Sequence, residues 1–234
     1  VAASLLALVT LVFAAILDVG AGASGIFVQA KHLGDDIGFV LVITFVQAGL
    51  STVFSLAAGV LLAWSLRHRQ RFIGRRLLLS LMSTSMVLPT LVVALGLIDV
   101  FGRRGWWNSL FGADGLGLAT ISIYGLGGIV LAHTWMDAPF VARGLLHRLE
   151  NIPAEHFKLA RSLGLTSWQR FRNVEWPAMT PALPGQALVV FLLSFTSFAI
   201  VLMLGGSPRF NTLELAIFEA VKLEFDLPRA VILA

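Results

Sequence analysis

Five stretches of this 234-residue chain contain no Asp, Glu, Lys or Arg: 1–17, 37–66, 77–98, 115–136 and 176–208. All 17 basic and 13 acidic residues are confined to the segments between them. A helix that crosses the hydrocarbon core of a bilayer needs about 20 mostly apolar residues. A helix packed in a soluble globule instead keeps a polar stripe for water. Four of the windows are 22 residues or longer, and none carries an ionic stripe. Composition agrees: 57% of residues are hydrophobic and 13% charged, with a mean hydropathy of +0.86, against about 25% charged in an ordinary soluble domain. Too few charges are present to coat a water-facing surface. A soluble enzyme, a disordered chain and a disulfide-stapled secreted domain are disfavoured, and the absence of cysteine removes disulfides and thiolate metal sites.

The windows predict an all-α, polytopic bundle forming one transmembrane domain over 1–234. Full spans are expected at about 1–17, 39–66, 77–101, 119–143 and 182–204. The first lacks the charged start and cleavage signal of a secretory peptide. Val1 in place of Met, and an apolar run opening at Leu227, read as cut ends, so a sixth span from about 228 is expected to be truncated. Loop charges set the sidedness. Arg67, Arg69, Arg71, Arg75 and Arg76 fill one loop, and Arg143, Arg148, Lys158, Arg161, Arg170 and Arg172 another. Basic residues gather on the cytoplasmic side, so both loops and the N-terminus are expected inside. That rule also accounts for the pI near 10.3 without nucleic acid. Trp106 and Trp107 read as an outer interfacial anchor. Pro89 should kink the third span, with Ser83, Thr84 and Ser85 re-satisfying the ladder. Small residues such as Ala57, Ala58, Gly59, Gly127 and Gly128 allow close helix packing.

The loop 144–181 is long for a connection and has its own helix grammar. Pro153 suits a first turn, and Glu155 lies near the positive helix end. Phe157, Ala160 and Leu163, with Leu159, make an apolar face, while Lys158 and Arg161 lie on another. Gly164 fits a helix stop. Thr166-Ser167-Trp168-Gln169 has capping-box spacing for a second helix, which Pro177 is expected to follow. Two short amphipathic helices joined by a glycine turn suit either docking to a cytosolic partner or rest on lipid headgroups.

Lys158-Leu-Ala-Arg-Ser-Leu-Gly164, followed after nine residues by Val174-Glu-Trp-Pro177, resembles the EAA loop of ABC importer permeases. That pattern reads E-A-A, three residues, Gly, nine residues, then I-x-L-P. Ala160, Gly164 and Pro177 fit it; Lys158, Leu159 and Trp176 depart from it. Further strings resemble the thiamine branch of the family over about 39–226: Tyr124-Gly-Leu-Gly-Gly-Ile-Val-Leu-Ala-His133, Leu149-Glu-Asn-Ile-Pro153, Phe171-Arg-Asn-Val-Glu-Trp-Pro177, Phe195-Thr-Ser-Phe-Ala-Ile-Val-Leu-Met-Leu-Gly-Gly206 and Thr212-Leu-Glu-Leu-Ala-Ile-Phe218. The resemblance implies a type I importer permease of the bacterial inner membrane, the N-terminal half of a chain with two fused copies. It implies as partners a cytosolic ABC ATPase dimer, which carries ATP and Mg, a periplasmic substrate-binding protein and the second permease half. The coupling loop would comprise Ala154, Glu155, Lys158, Leu159, Ala160, Arg161, Ser162, Leu163, Gly164 and Pro177. The cargo would be thiamine or its phosphates, with ferric iron or a polyamine as alternatives within the class.

No G-x-x-x-x-G-K-[ST] phosphate loop occurs, so this chain is expected to bind no cofactor and to have no catalytic residues. Asp137 is the acid at span depth, where a carboxylate usually faces protein or water. It either attracts a cationic cargo or lies near the cytosolic end and pairs with Arg143. Ser194, Thr196 and Ser197 are weaker path candidates, Ser194 and Ser197 sharing one face of the fifth span. Hydroxyls in spans often bond back to their own helix. His133 reads as a packed residue, with no second His at metal-ligand spacing. An ion-coupled secondary transporter, the alternative from another class, would need several intramembrane ionisable groups, and Asp137 alone supports it thinly.

Overall fold

The computed structural model describes residues 36–69, 73–85, 87–111, 122–205, 212–223 and 225. The expected spans 1–17 and from 228 onward lie outside them. Every regular element among the described residues is helical. In chain order these are α1 (Asp36–His68), α2 (Arg75–Thr84), α3 (Thr90–Phe101), α4 (Trp106–Phe111), α5 (Leu126–Glu150), α6 (Ala154–Ser162), α7 (Ser167–Arg170), α8 (Trp176–Met179), α9 (Leu183–Phe195), α10 (Phe198–Leu204) and α11 (Leu213–Lys222). Two continuous helical stretches are long and apolar enough to cross a membrane, Gly38–His68 and Ser167–Phe195.

The helices do not follow the charge-free windows at three places. The expected span 77–101 is two helices rather than one kinked helix. Proline lacks the N–H that would bond Ser85, and its ring disfavours helical geometry at residue 88. The chain therefore breaks, and Pro89 becomes the N-cap of α3. Ser83, Thr84 and Ser85 donate their hydroxyls to Leu79, Ser80 and Met82 carbonyls of their own helix. They do not repair the ladder across the proline. The expected span 182–204 is also divided. Ser197 leaves helical geometry with φ −93° and ψ 101°, so Ser194 and Ser197 do not share the face of one continuous helix. Thr196 ends α9 by directing both its amide and its hydroxyl to the Leu192 carbonyl, at 3.0 and 2.9 Å.

The third difference runs the other way: Pro177 does not follow a helix end. A π-turn spans Phe171–Glu175, and the Trp176 amide donates to the Phe171 carbonyl five residues back. A short 3₁₀ turn, Thr180–Ala182, precedes α9. Pro177, Pro181 and Pro184 each fall in the first turn of a new segment, where a missing N–H costs least. The helix therefore runs on past all three.

Contacts divide the chain into two compact units. The first holds the described residues of 1–54, 88–134 and 191–234. There α10 packs on α3, burying Ala94, Leu97, Ile200, Val201 and Leu204. Val40 of α1 meets Ala216 of α11, and the Leu213 amide donates to the Thr44 hydroxyl at 3.0 Å. Phe45 packs edge-on against Phe195 at 5.3 Å, and Trp106 and Trp107 lie 6.3 Å apart.

The second unit holds 55–87 and 135–190. Its core joins Ala63 and Leu66 of α1, Met82 of α2, Val141, Leu145 and Leu149 of α5, and Met179 and Val190 beyond the π-turn. Arg143 links α5 to α2 by donating to the Leu79 carbonyl at 2.8 Å and to the Ser83 hydroxyl. Gly59 of α1 lies close against α5: a methyl there would lie 2.4 Å from Val141 Cγ1. Gly59→Ala should therefore lower stability by about 1–2 kcal/mol, overpacking outweighing the gain in helix propensity. Adding Val141→Ala should restore most of the loss in thermal unfolding of the detergent-solubilised protein. Gly128→Ala is expected to have no such rescue, because its methyl would lie 1.5 Å from the backbone carbonyl oxygen of Ile123.

Candidate functional site

The loop helix α6 is bounded at both ends by local sequence. Pro153 is its N-cap rather than its first-turn residue, and Glu155 supplies the first-turn acid. At its end the Leu165 amide bonds the Ala160 carbonyl and the Gly164 amide that of Arg161, each at 3.0 Å. This is a Schellman closure, and it holds Gly164 at φ +65°, where a side chain is disfavoured. Thr166 and Gln169 form the expected capping box for the next helix, with reciprocal bonds of 3.3 and 2.9 Å.

The expected apolar face of α6 divides into two. Ala160 is buried and Phe157 half-buried, whereas Leu159 and Leu163 are 60% and 65% exposed. Ala154, Glu155, Lys158, Arg161, Ser162, Gly164 and Pro177 are also exposed. The helix thus grips its own chain through Phe157 and Ala160 and presents two leucines to its surroundings. Arg67, at the end of α1, lies over the Phe157 ring at 5.0 Å.

Beside α6, an open groove of about 1070 Å³ is lined from α1, α6 and the segment 170–175. At its base Glu175, 1% exposed, has one oxygen 3.6 Å from both His68 Nε2 and Arg170 Nε. Arg170 also reaches His68 Nε2 at 2.7 Å, and His68 Nδ1 lies 3.0 Å from the Trp64 carbonyl. Those neighbours select the tautomer. The carbonyl needs an Nδ1–H donor, which leaves Nε2 as the acceptor for the guanidinium. Trp64, Phe171, Trp168 and Trp176 surround this cluster with ring separations of 5.5–5.9 Å. Arg75 pairs separately with Glu150 at 2.9 Å.

In the second unit, Asp137 is buried, with one carboxylate oxygen lacking a partner among the described residues. Arg143 is engaged with α2 and does not pair with it. In the first unit, Ser194 and Ser197 are buried with hydroxyls that have no partner among the described residues, whereas Thr196 bonds back to its own helix. His133 is packed at 3% exposure, and its Nε2 has no partner among the described residues.

Sequence reasoning missed two features. One is the His68–Arg170–Glu175 cluster, joined across 102 residues of chain. The other lies on α1, where Thr44, Gln47 and Ser51 are fully buried. Both amide atoms of Gln47 and the Ser51 hydroxyl lack partners among the described residues. Their spacing of three and four inside a charge-free window was the available signal.

Comparison with known proteins bears on the whole chain. Residues 55–224 match the profile of the binding-protein-dependent transport system inner membrane components. The chain belongs to that family. Within it, the chain is 47% identical over 191 residues to the thiamine transport system permease protein ThiP of Salmonella typhimurium, covering 82% of this chain and 35% of that one. It is 41% identical over 229 residues to ThiP of Haemophilus influenzae, covering 94% and 42%. It is 34% identical to the sulfate transport system permease protein CysT of Escherichia coli, covering 82% and 68%. The chain thus spans about 35–42% of the thiamine permease proteins it matches. As an inner membrane component, it is a membrane protein.

The buried carboxylate of this family member should carry measurable stability. Glu175→Gln is expected to cost about 2–3 kcal/mol, less than a fully buried pair because Arg170 and His68 keep solvent contact. Paired with Arg170→Gln in a double-mutant cycle, the losses should fall short of additive by about 1 kcal/mol. Strictly additive losses in thermal unfolding would show that the two side chains are not coupled.

Proposed function

We propose that the chain is one half of the permease of an ATP-driven importer, crossing the bacterial inner membrane several times with its N-terminus inside. The two arginine-rich loops then face the cytosol. The helix Ala154–Ser162 with its Gly164 closure docks on a cytosolic ABC ATPase dimer, which supplies ATP, Mg and hydrolysis. A periplasmic binding protein delivers cargo, and a second permease half completes the path. The reading is supported most directly by α6 itself: a short helix closed at its C-terminal end, held inward by Phe157 and Ala160, with Leu159 and Leu163 left exposed. Burying two leucines on a partner is favourable by about 1.5–3 kcal/mol each. A locked helix loses little entropy when it docks.

Transport would follow from a difference in those contacts between two states of the ATPase pair. Closure of the pair would move α6, and the bundle would open to the opposite side; contact that is equal in both states would drive nothing. Thiamine or a thiamine phosphate is the proposed cargo, supported by the thiamine permease proteins that match 82–94% of this chain at 41–47% identity. Asp137, Ser194, Thr196 and Ser197 are carried forward as candidates for the path. A cationic cargo suits the unpartnered oxygen of Asp137.

Two measurements test this reading. In the assembled complex, Leu159→Asp with Leu163→Asp should lower cargo-stimulated ATP hydrolysis and uptake by about tenfold or more, as for loss of a central apolar anchor. Membrane insertion should be unchanged. Gly164→Val, which strains the +65° φ, should act in the same direction. Normal coupled uptake in both variants would remove the docking role. Labelled thiamine uptake by cells lacking their own permease, run beside ferric iron, identifies the cargo, and iron uptake alone would overturn the thiamine assignment.

A further inference from the structure

The groove beside α6 is unbalanced in charge. Its two acids are already engaged, Glu175 with Arg170, and Glu150 with Arg75. Arg67, Arg69, Lys158 and Arg161 line the same groove with no ion-pair partner among the described residues. The Arg67 Nε is buried and lacks a hydrogen-bond partner, and its guanidinium is already oriented over Phe157. An oriented arginine among other cations suits a phosphate group, which accepts paired N–H bonds.

Position narrows the source of that phosphate. Arg67 follows directly on the charge-free window 37–66, so the groove opens where an apolar helix gives way to charge. Trp168 and Trp176, 67% and 39% exposed, belong to the same unit, and indoles of this kind gather at headgroup depth. The groove takes Ala154, Phe157, Lys158 and Arg161 from α6 but not the exposed leucines. It therefore borders the surface assigned to the ATPase, while Arg67 and Arg69 lie outside the coupling loop. We propose that this groove seats the phosphodiester headgroup of an anionic membrane lipid. Basic residues at a cytoplasmic membrane surface attract such lipids, and the attraction falls off within a Debye length. The headgroup would neutralise cations that otherwise repel one another around the base of α6.

The test uses the full-length permease with its ATPase, reconstituted in phosphatidylcholine nanodiscs with increasing phosphatidylglycerol. Native mass spectrometry then counts the phosphatidylglycerol retained on the released complex. The wild type should retain it, and Arg67→Gln with Arg69→Gln should weaken retention by about tenfold or more. Arg67→Lys with Arg69→Lys should recover part of the loss. If the double Gln variant does not assemble, Arg69→Gln alone, at an exposed position, should still reduce retention measurably. Unchanged retention in the Gln variants would overturn the proposal. Displacement of the lipid by millimolar inorganic phosphate would also overturn it, giving the groove to a soluble anion. So would loss of the ATPase with phosphatidylglycerol retained, which would give the groove to an acidic protein surface. None of these outcomes depends on Leu159, Leu163 or Gly164, so the docking reading stands or falls separately.

Discussion

Inside a hydrocarbon layer there is no water to accept a backbone N–H or to donate to a carbonyl. At several places where the described residues leave regular α geometry, a substitute bond is made. After α3 the Gly102 amide returns to Ile98, and the Gly105 amide to Gly102. The Gly125 amide crosses to the Leu204 carbonyl at 2.7 Å, and the Leu213 amide finds a side-chain oxygen on Thr44. At the π-turn the Trp176 amide reaches one residue further back than usual. Side chains play a secondary part in these repairs. The hydroxyls of Thr44, Thr52 and Thr134 all donate to their own helix, at 2.7–2.8 Å.

Much of this was legible in the sequence because it depends on neighbours. The charge-free windows coincide with most of α1 and with the first part of α5, since absence of charge is a property of a continuous run. The capping box at Thr166 and the glycine closure at Gly164 rest on residues within five of each other and formed as the spacing implied. Pro89 was visible as an irregularity, though its effect is a full break rather than a kink.

What was not legible depends on tertiary context or on competing local geometries. Nothing about Thr196 and Ser197 forbids a helix; the break there coincides with the packing of Phe198 on Phe218 at 5.0 Å. Pro177 looked like a terminator because one proline cannot sit in an α-helix interior. Three prolines, each placed in the first turn of a new segment, can. Glu175 looked like one more loop acid, and its burial requires His68, which arrives from another helix. The apolar face of α6 was read as a unit, but only contacts could divide Phe157 and Ala160 from Leu159 and Leu163.

The π-turn at Phe171–Glu175 has a geometric consequence for the loop motif. In an α-helix each residue advances the direction of the side chains by about 100°. A turn that closes five residues back instead of four absorbs one extra residue while leaving the direction of everything beyond it nearly unchanged. Deleting one residue from this stretch would rewind the turn as α, with the apolar helix Leu183–Phe195 keeping its facing, and would set the Pro177 ring against the ladder. The nine residues between Gly164 and Val174 thus include one that the turn stores. A deletion there would be felt as a clash at the proline, whereas a further residue wound in as α would rotate the helix beyond it by about 100°.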